Sequence, residues 1–202
     1  MKDLIVESAK KYFSRFGFHK TTMEEIAKNI HKSKGVLYYY FKNKEELFNE
    51  VLKQELSCIK TELSKIMMSK NDSLVMLKEY ILIRLKLLYK TVNYHETLKA
   101  DFFEKYYFVK DVRDDFTKFE RIQLTTMLKK GKDEGYLNVI DIDSTVDVIL
   151  MVVSGIEIPL FLQNKYDEYE DTIEELSEMI ANSLRMQKNK LFQVLLTQKH
   201  KQ

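Results

Sequence analysis

Glycine, proline, cysteine and tryptophan are scarce in this chain: its 202 residues include five glycines, one proline, one cysteine and no tryptophan. Sandwiches and barrels with many short strands need turn residues far more often, so long helices are expected instead. The single cysteine, Cys58, cannot form an internal disulfide, and four scattered histidines provide no Cys/His cluster for zinc. We therefore expect an all-α protein of a reducing compartment, without a metal or a cofactor.

Long hydrophobic runs are also missing. The longest uncharged apolar stretch, residues 148–156, stops at Glu157 and is about half of the roughly 20 residues that a membrane span requires. Asp3 and Glu7 fall where the start of a signal peptide would lie, and no apolar segment follows them. We expect a cytoplasmic protein without a membrane partner.

Charge is unevenly distributed along the chain. The first 44 residues carry ten basic and four acidic residues, whereas the other 158 carry 23 basic and 27 acidic residues. A basic head on a mildly acidic body is expected of a module that binds phosphates. A solvated basic surface with no partner would give the same distribution.

The basic head has the pattern of three short helices. Apolar residues at helical spacing predict a first helix that ends at Gly17, where a residue without Cβ can adopt a positive φ. Thr21 or Thr22, each followed three residues later by glutamate, predicts a capping box at the start of a second helix. Ser33 is the expected N-cap of a third helix, residues 34–41. Two short helices joined by a tight turn are a helix-turn-helix.

Three consecutive tyrosines, Tyr38, Tyr39 and Tyr40, lie in the third predicted helix. On a helix they spread over about 200°, so they cannot all be core and at least one phenolic group must be in contact with solvent. There it can donate to phosphate oxygens or contact thymine methyl groups. Leu37 and Phe41, four residues apart, supply the inner face. Packing alone would explain Tyr38 or Tyr40 but not the set.

The segment from Ala9 to about Val51 resembles the N-terminal domain of TetR-family transcriptional regulators. A bare helix-turn-helix pattern is a weak signal, but here many positions agree at once. Gly131 and Gly135, followed by residues 136–137, also resemble the usual end of the family's seventh helix. The positions in the head that match the family's spacing are Phe13, Gly17, Phe18, Thr21, Thr22, Ile26, Ala27, Ser33, Gly35, Leu37, Tyr38, Tyr40, Phe41, Lys44, Glu45 and Leu47.

The resemblance implies an all-α subunit of about nine helices. Residues 1–46 would form a three-helix helix-turn-helix head that binds DNA, and residues 47–202 a helical body for ligand binding and dimerisation. Matching positions suggest Lys34, Gly35 and Tyr38 as base readers, with Gly35 allowing close approach of the backbone to base edges. The positions that match phosphate-binding residues are Thr22, Ser33, Tyr39, Tyr40 and Lys44.

The turn between the second and third helices departs from the family. The family commonly has Ala-Gly-Val there, whereas this chain has Ile30, His31 and Lys32. His31 takes the place of a glycine that often adopts positive φ, which His tolerates better than β-branched residues do. Lys32 adds charge near the expected DNA surface.

Helical patterns continue through the body. Asn43 and Glu46 mark the start of a long fourth helix whose apolar stripe extends to Ile66. The later predicted helices are residues 74–92, 96–107, 111–134, 144–162 and 169–187. Pro159 should kink or loosen the last turn of its helix because it lacks a backbone donor. Beyond residue 179 the chain is either a helical extension or a frayed tail.

Apolar stripes on the last two helices predict a homodimer. By the resemblance, such helices pair with their symmetry mates in a four-helix bundle. The alternative is that both stripes are core of one subunit. The predicted interface residues are Val146, Ile149, Val153, Ile156, Leu160, Ile173, Leu176, Ile180 and Leu184.

Arg84 is in register with the apolar residues of a buried helix, where an unpaired charge is costly. It is either a structural ion pair with an acid or an anchor for an anionic ligand. Aromatic and methionine side chains could line an apolar pocket, although ordinary core packing explains most of them. The candidate pocket residues are Met76, Arg84, Phe103, Tyr106, Tyr107 and Met127.

These features together predict a sequence-specific transcriptional regulator, a ligand-responsive repressor that binds a palindromic double-stranded operator as a homodimer. Its partners would be operator DNA and a small-molecule effector. The alternative is a nonspecific or architectural DNA-binding protein, which the basic head would also support. An enzyme is disfavoured because the chain has no Glu-x-x-His pair for a di-iron bundle, and Cys58 has no histidine near it in the sequence.

Overall fold

The computed structural model describes residues 1–99 and 107–186. In this part of the chain there are nine α-helices and no strand beyond one isolated bridge between Leu137 and Arg185. This confirms the predicted all-α class, while Phe103, Tyr106 and the predicted tail beyond residue 186 lie outside the described residues. The helices are α1 (Lys2–Lys20), α2 (Met23–Asn29), α3 (Lys34–Tyr40), α4 (Lys44–Met67), α5 (Ser73–Lys90), α6 (Val92–Glu96), α7 (Lys110–Asp133), α8 (Ile142–Gly155) and α9 (Glu170–Ser183).

Local signals fix the helix ends in the head. Gly17 has φ +80° and breaks the helical backbone of α1 three residues before its end. Thr22 and Glu25 form the predicted capping box, because the Glu25 amide donates to Thr22 Oγ1 at 3.2 Å and the Thr22 amide donates to Glu25 Oε2 at 2.9 Å. His31 has φ +53°, as predicted for the turn between α2 and α3.

The head is held together by apolar residues from α1, α3 and α4. Leu37 and Phe41 are 0% and 2% exposed, which confirms the predicted inner face of α3. Phe13 of α1 meets Phe48 of α4 edge to face, with ring centroids 5.0 Å apart. Phe18 lies 5.0 Å from the same Phe48 ring, so the end of α1 is also fixed to α4.

Helix α4 belongs to both the head and the body. Its N-terminus is capped by Asn43, whose side chain accepts from the Glu46 amide at 2.7 Å. Along its 24 residues it packs against α1 in the head and against α5 and α7 in the body. The predicted boundary after residue 46 therefore falls inside one continuous helix, which couples the two parts rigidly.

A short sixth helix that the sequence analysis did not predict begins at Val92 and ends at Glu96. The predicted helix 96–107 does not begin at residue 96, since residues 97–99 form a turn, and its residues 100–106 lie outside the described residues. Thr91 separates α6 from the preceding helix with φ −96° and ψ +76°, and its hydroxyl donates to the Leu87 carbonyl at 2.9 Å. Helix α6 packs against α1, α4 and α5.

The end of α7 depends on a glycine for close packing. A Cβ at Gly131 would lie 2.5 Å from Leu137 Cδ1 and 2.7 Å from Ser73 Cβ. Leu137 and Ser73 are both fully buried. A residue larger than glycine at position 131 would therefore fit only if these neighbours moved. Gly135, with φ +78°, then turns the chain so that Leu137 packs back onto α7.

Helix α8 and the turn after it form the most apolar segment of the chain. Ile142–Leu162 has a mean hydropathy of 2.0 and meets a length and composition criterion for crossing a membrane, with 39% of it buried in the fold. Core helices of soluble proteins meet the same criterion, so this is weak evidence for a span. Around Pro159 the helix widens into a π-turn at Ile158–Leu162, which confirms the predicted loosening.

Most of the predicted dimer stripe lies inside the subunit. Five of its residues are at most 5% exposed and pack in the core, so the intrachain alternative is correct for them and they offer no surface to a partner. Helical periodicity identified the apolar side of each helix but could not tell which neighbour covers it. The buried five are Val146, Ile149, Val153, Leu160 and Ile173, and the half-buried four are Ile156, Leu176, Ile180 and Leu184.

Candidate nucleic-acid interface

Helix α3 presents its polar and aromatic residues to solvent. Tyr39 is 83% exposed, Tyr38 is 44% exposed and Tyr40 is 36% exposed, while Leu37 on the opposite side is fully buried. Tyr39 and Tyr40 pack edge to face with centroids 5.1 Å apart, so their rings support each other at the surface. The sequence required at least one of the three phenolic groups to be in contact with solvent, and in the structure all three tyrosines are exposed.

The N-terminal turn of α3 is open to a large partner. Ser33, Lys34 and Gly35 are exposed, and Ser33 is the N-cap although its side chain makes no capping hydrogen bond. The Lys34 ammonium lies 5.7 Å from the centroid of the Tyr38 ring, within cation–π range. An ideal Cβ on Gly35 would meet only Ser33 Oγ, at 3.8 Å. Nothing inside the protein therefore requires glycine at this position.

A shallow groove of about 510 Å³ lies between this turn and the start of α1. Among the described residues, no carboxylate lies within ion-pair distance of Lys32, Lys34 or Lys42. The exposed side of α3 is thus bordered by uncompensated positive charge. The groove is lined by Met1, Lys32, Ser33, Gly35, Val36, Tyr39 and Tyr40.

Thr22 is exposed at the start of α2, but its hydroxyl is already engaged. It accepts from the Glu25 amide and donates to Glu25 Oε2 at 2.8 Å. The hydrogen bonds that the Thr22 hydroxyl and the Thr22 amide donate to the Glu25 carboxylate lower its pKa. A phosphate contact by Thr22 stays a prediction, and it would have to share this hydroxyl with the capping box.

Lys44 has a structural set of partners that the sequence did not reveal. Its ammonium donates to the carbonyls of Phe18 at 2.8 Å and Thr21 at 3.0 Å, and lies 4.4 Å from the centroid of the Phe18 ring. Partial burial lowers the pKa of this ammonium. Lys44 therefore caps the C-terminal carbonyls of α1 and fixes them to the start of α4. Its predicted phosphate contact has not been tested.

In the body, Arg84 lies at the centre of a buried ionic cluster. It is 1% exposed, and its Nε donates to Glu120 Oε1 at 2.5 Å while Nη2 donates to Glu157 Oε1 at 2.7 Å. Tyr94 of α6 donates to the other oxygen of Glu157 at 2.8 Å. Arg84 thus makes the structural ion pair that was one of its two predicted roles, and its Nη1 has no partner among the described residues.

Burial and charge act against each other in this cluster. Burial alone would lower the pKa of Arg84, and the carboxylates of Glu120 and Glu157 raise it well above its ordinary value. Burial raises the pKa of Glu120. Glu120 and Glu157 were missed by sequence reasoning, although each is an acid at a position where the apolar stripe of its helix continues, and that is the signal that could have revealed them.

The other predicted pocket residues are dispersed. Met76 and Met127 are fully buried in the body, whereas Tyr107 is 80% exposed. Tyr107 lies at a cavity of about 380 Å³ that also includes Thr97 and Arg113. Phe103 and Tyr106 lie outside the described residues.

Comparison with known proteins points to one family. The family described as bacterial regulatory proteins, tetR family, matches residues 5–51. The HTH-type transcriptional regulator QacR of Staphylococcus aureus is 30% identical over 162 residues, covering 77% of this chain and 84% of QacR.

Two further similarities concern the head and the fold. The negative transcriptional regulator IcaR of the icaADBC biofilm operon of Staphylococcus epidermidis is 40% identical over 50 residues, which is 25% of this chain and 27% of IcaR. The crystal structure of FadR from Bacillus subtilis in complex with stearoyl-CoA has a TM-score of 0.70 and 18% identity, covering 90% of this chain and 96% of that one. At this identity the likeness concerns the fold alone.

Gly35→Ala tests whether DNA approaches the backbone of α3. The added methyl group meets no atom of the protein closer than 3.8 Å, and alanine favours the helix, so the melting temperature should stay the same or rise. If a base edge or sugar lies against Gly35, Kd for DNA should rise about tenfold. Fluorescence anisotropy measures the Kd, and an unchanged Kd would exclude close approach at this position.

Lys44→Met and Lys32→Met separate a structural lysine from a phosphate-binding one. Loss of the Lys44 cap should lower the free energy of unfolding by about 1–2 kcal/mol and leave the dependence of log Kd on log salt unchanged. Lys32→Met should leave stability unchanged and reduce the salt slope by about 0.9, the value for one phosphate contact. A reduced slope for Lys44→Met would mean that its ammonium leaves the α1 carbonyls to bind phosphate.

Proposed function

The chain belongs to the TetR family of bacterial regulatory proteins, and from this premise we propose that it is a homodimeric, ligand-responsive repressor that binds a palindromic operator. The observation that carries the proposal is the two-sided character of α3: Leu37 anchors it in the head, and its three tyrosines and Lys34 are exposed, in contact with one another at the surface. A helix of this kind can enter a major groove because its outer side is free to meet bases and phosphates.

The roles within the surface follow from position along α3. Lys34 and Gly35, in the first turn of α3, read base edges, since the N-terminal residues of a recognition helix lie deepest in the groove, and Tyr38 joins them because it lies one turn further along the same side as Lys34. Tyr39, Tyr40 and Ser33 donate hydroxyls to the flanking phosphates, which fixes the register of the helix on the duplex. Thr22 is the further phosphate contact at the start of α2, whereas Lys44 is expected to keep its bonds to the α1 carbonyls unless the salt slope of Lys44→Met shows otherwise.

Repression is the regulatory direction that this proposal assigns. IcaR, which is 40% identical to this chain over 50 residues, is described as a negative regulator. A protein that covers an operator prevents other proteins from binding there, so tight operator binding is by itself sufficient for repression.

The two copies required by a palindrome meet through a side of α8 that the described residues of the subunit leave exposed. Met151 is 74% exposed, Val148 is 59% exposed and Ile158 is 49% exposed, and helical spacing aligns them with Gly155. A Cβ at Gly155 would meet no atom within 4 Å, so packing in the subunit gives no reason for a glycine there. A second α8 crossing at Gly155 would supply one, because glycine permits close approach of two helices.

The effector site of the proposal is the body next to α6. The cavity beside Tyr107 is large enough for a small molecule, and FadR, a protein of the same fold, is described in complex with stearoyl-CoA. Of the pocket residues predicted from the sequence, Tyr107 borders this cavity.

Helix α6 is the element that would carry the effector's signal. Tyr94 binds the Glu157 carboxylate in the body, and the neighbouring Asn93 donates to the Lys10 carbonyl of α1 at 3.3 Å. A ligand that moves α6 must therefore disturb either the ionic cluster or the head. Such a ligand changes the spacing of the two heads only if it binds one arrangement more tightly than the other.

Selection from a random pool of duplex DNA at fixed salt tests the function directly. The expected result is an inverted repeat whose half-sites are about one helical turn, roughly 34 Å, apart or a multiple of it. Retention of all sequences with equal affinity would replace the proposal with the nonspecific or architectural alternative.

Met151→Lys tests the dimer surface. In one subunit the side chain is exposed, so the melting temperature of the subunit should change little, but two lysines facing each other across a twofold axis repel. Multi-angle light scattering should then give a monomer that no longer prefers inverted repeats. Ile140→Lys is the matched control, because Ile140 is 93% exposed and lies outside the α8 surface. A dimer in both variants would refute this interface.

A further inference from the structure

A buried polar junction joins α1, α4 and α6 where the head meets the body. Asn93 of α6 is 0% exposed, and its amide Nδ2 donates to Glu55 Oε1 of α4 at 2.9 Å and to the Lys10 carbonyl of α1 at 3.3 Å. Glu55 is 7% exposed. Three helices thus meet on one amide and one carboxyl group.

The junction has fewer donors than acceptors. Glu55 Oε2 and Asn93 Oδ1 are both buried and without a hydrogen-bond partner among the described residues. Both acceptors belong to the side chains of Glu55 and Asn93, which the 2.9 Å hydrogen bond already joins. A buried acceptor without a donor lowers the stability of the folded protein. Two such acceptors in one junction therefore require a common explanation. A proton on the carboxyl group is such an explanation, because it turns one of these empty acceptors into a donor.

The charges around Glu55 do not fully neutralise an ionised carboxylate. The Lys10 ammonium is 3.8 Å from Oε1, beyond hydrogen-bond range, and its side chain is 44% exposed. Glu7 on α1 opposes ionisation, and desolvation, the largest effect, raises the pKa of Glu55. Glu55 and Lys10 border a cavity. Lys90 of α5 and Cys58 and Glu62 of α4 line this cavity as well.

We propose that Glu55 and Asn93 form a proton-controlled latch between the head and the body. In the closed latch Glu55 is a neutral acid, and its O–H supplies the donor that the junction lacks. When Glu55 ionises, its negative charge is buried between α4 and α6. Glu55 Oε2 and Asn93 Oδ1 then both lack a donor, and the contact between the two helices weakens.

The position of the latch gives it a regulatory consequence. Asn93 is adjacent to Tyr94, which binds the ionic cluster of the body, so loosening α6 frees the head from the element that links it to the effector site. The effect on operator binding rests on the proposed function. The proton-dependent stability of the junction does not, since it can be measured without DNA.

Thermal unfolding of Glu55→Gln against pH tests the latch. Because the pKa of Glu55 in the folded protein is raised, its contribution to stability is present at low pH and is lost as pH rises through that pKa. Glutamine keeps the neutral acid's donor and acceptor at every pH. The melting temperature of Glu55→Gln relative to the wild type should therefore be about 3 °C higher at pH 8 than at pH 5. A difference that is constant with pH would overturn the proposal.

Two further variants guard against a general loss of structure. Glu175→Gln, at an exposed position of α9, which does not belong to the junction, should give a difference independent of pH. Asn93→Asp places a second carboxyl beside Glu55, so its melting temperature should fall more steeply with pH than that of the wild type. Parallel curves for Asn93→Asp and the wild type would contradict the latch even if Glu55→Gln failed to fold.

Operator binding supplies the second readout. The ratio of the wild-type Kd at pH 5.5 to that at pH 8.0 should differ about threefold or more from the same ratio for Glu55→Gln. Equal ratios together with a pH-dependent melting difference would show that the junction titrates without controlling the head. Absence of operator binding at any pH would refute the proposed function and leave the thermal result intact.

Discussion

The burial of Arg84 is the constraint on which the arrangement of the body depends. A guanidinium that is 1% exposed would cost several kcal/mol without partners, so its helix can pack centrally only if other elements bring carboxylates to it. Glu120 from α7 and Glu157 from the end of α8 do so, and Tyr94 of α6 joins through Glu157. Four parts of the chain are thereby held in one relative position. Apolar packing alone would allow them to slide, whereas charge-assisted hydrogen bonds require a defined geometry.

The head is joined to this cluster by two elements of different stiffness. Helix α4 is continuous from Asn43 to the body, and Phe48 and Lys44 fix the end of α1 to it through ring contacts and backbone carbonyls. Helix α6 is only five residues long, and it contacts the head through the Asn93 amide and through the Glu96 carboxylate next to Gly17. Under the proposed function, α6 rather than bending of α4 would transmit a change in the body to the head, because α6 is bonded both to the ionic cluster and to α1.

Sequence reasoning was accurate where structure is decided locally. The Thr22 capping box, the positive φ of His31 and the buried side of α3 all follow from residues within one or two turns of each other. It failed where neighbours from distant segments decide. Periodicity identified the apolar side of α8, but Val146 and Val153 turned out to be covered by the subunit itself, leaving Met151 exposed. The short helix α6 was missed because it spans the gap that periodicity left between two predicted helices. The DNA-contact and pocket assignments stay predictions, as do the four half-buried residues of the predicted interface, whereas its five buried residues belong to the core of the subunit.

The residues assigned to DNA recognition and those assigned to coupling differ in a way that bears on how such a protein can change. Tyr39 and Lys34 are exposed and support no other part of the fold, so substitution there alters what the surface meets at little cost in stability. Arg84, Glu157 and Asn93 are buried and hydrogen-bonded across elements, so each substitution there disturbs several helices at once. Operator preference can therefore vary independently of the signal path, whereas the signal path can change only by concerted replacement of partners. This difference between the two sets of residues follows from burial alone, since a solvated side chain is free to find a new partner and a buried one is not.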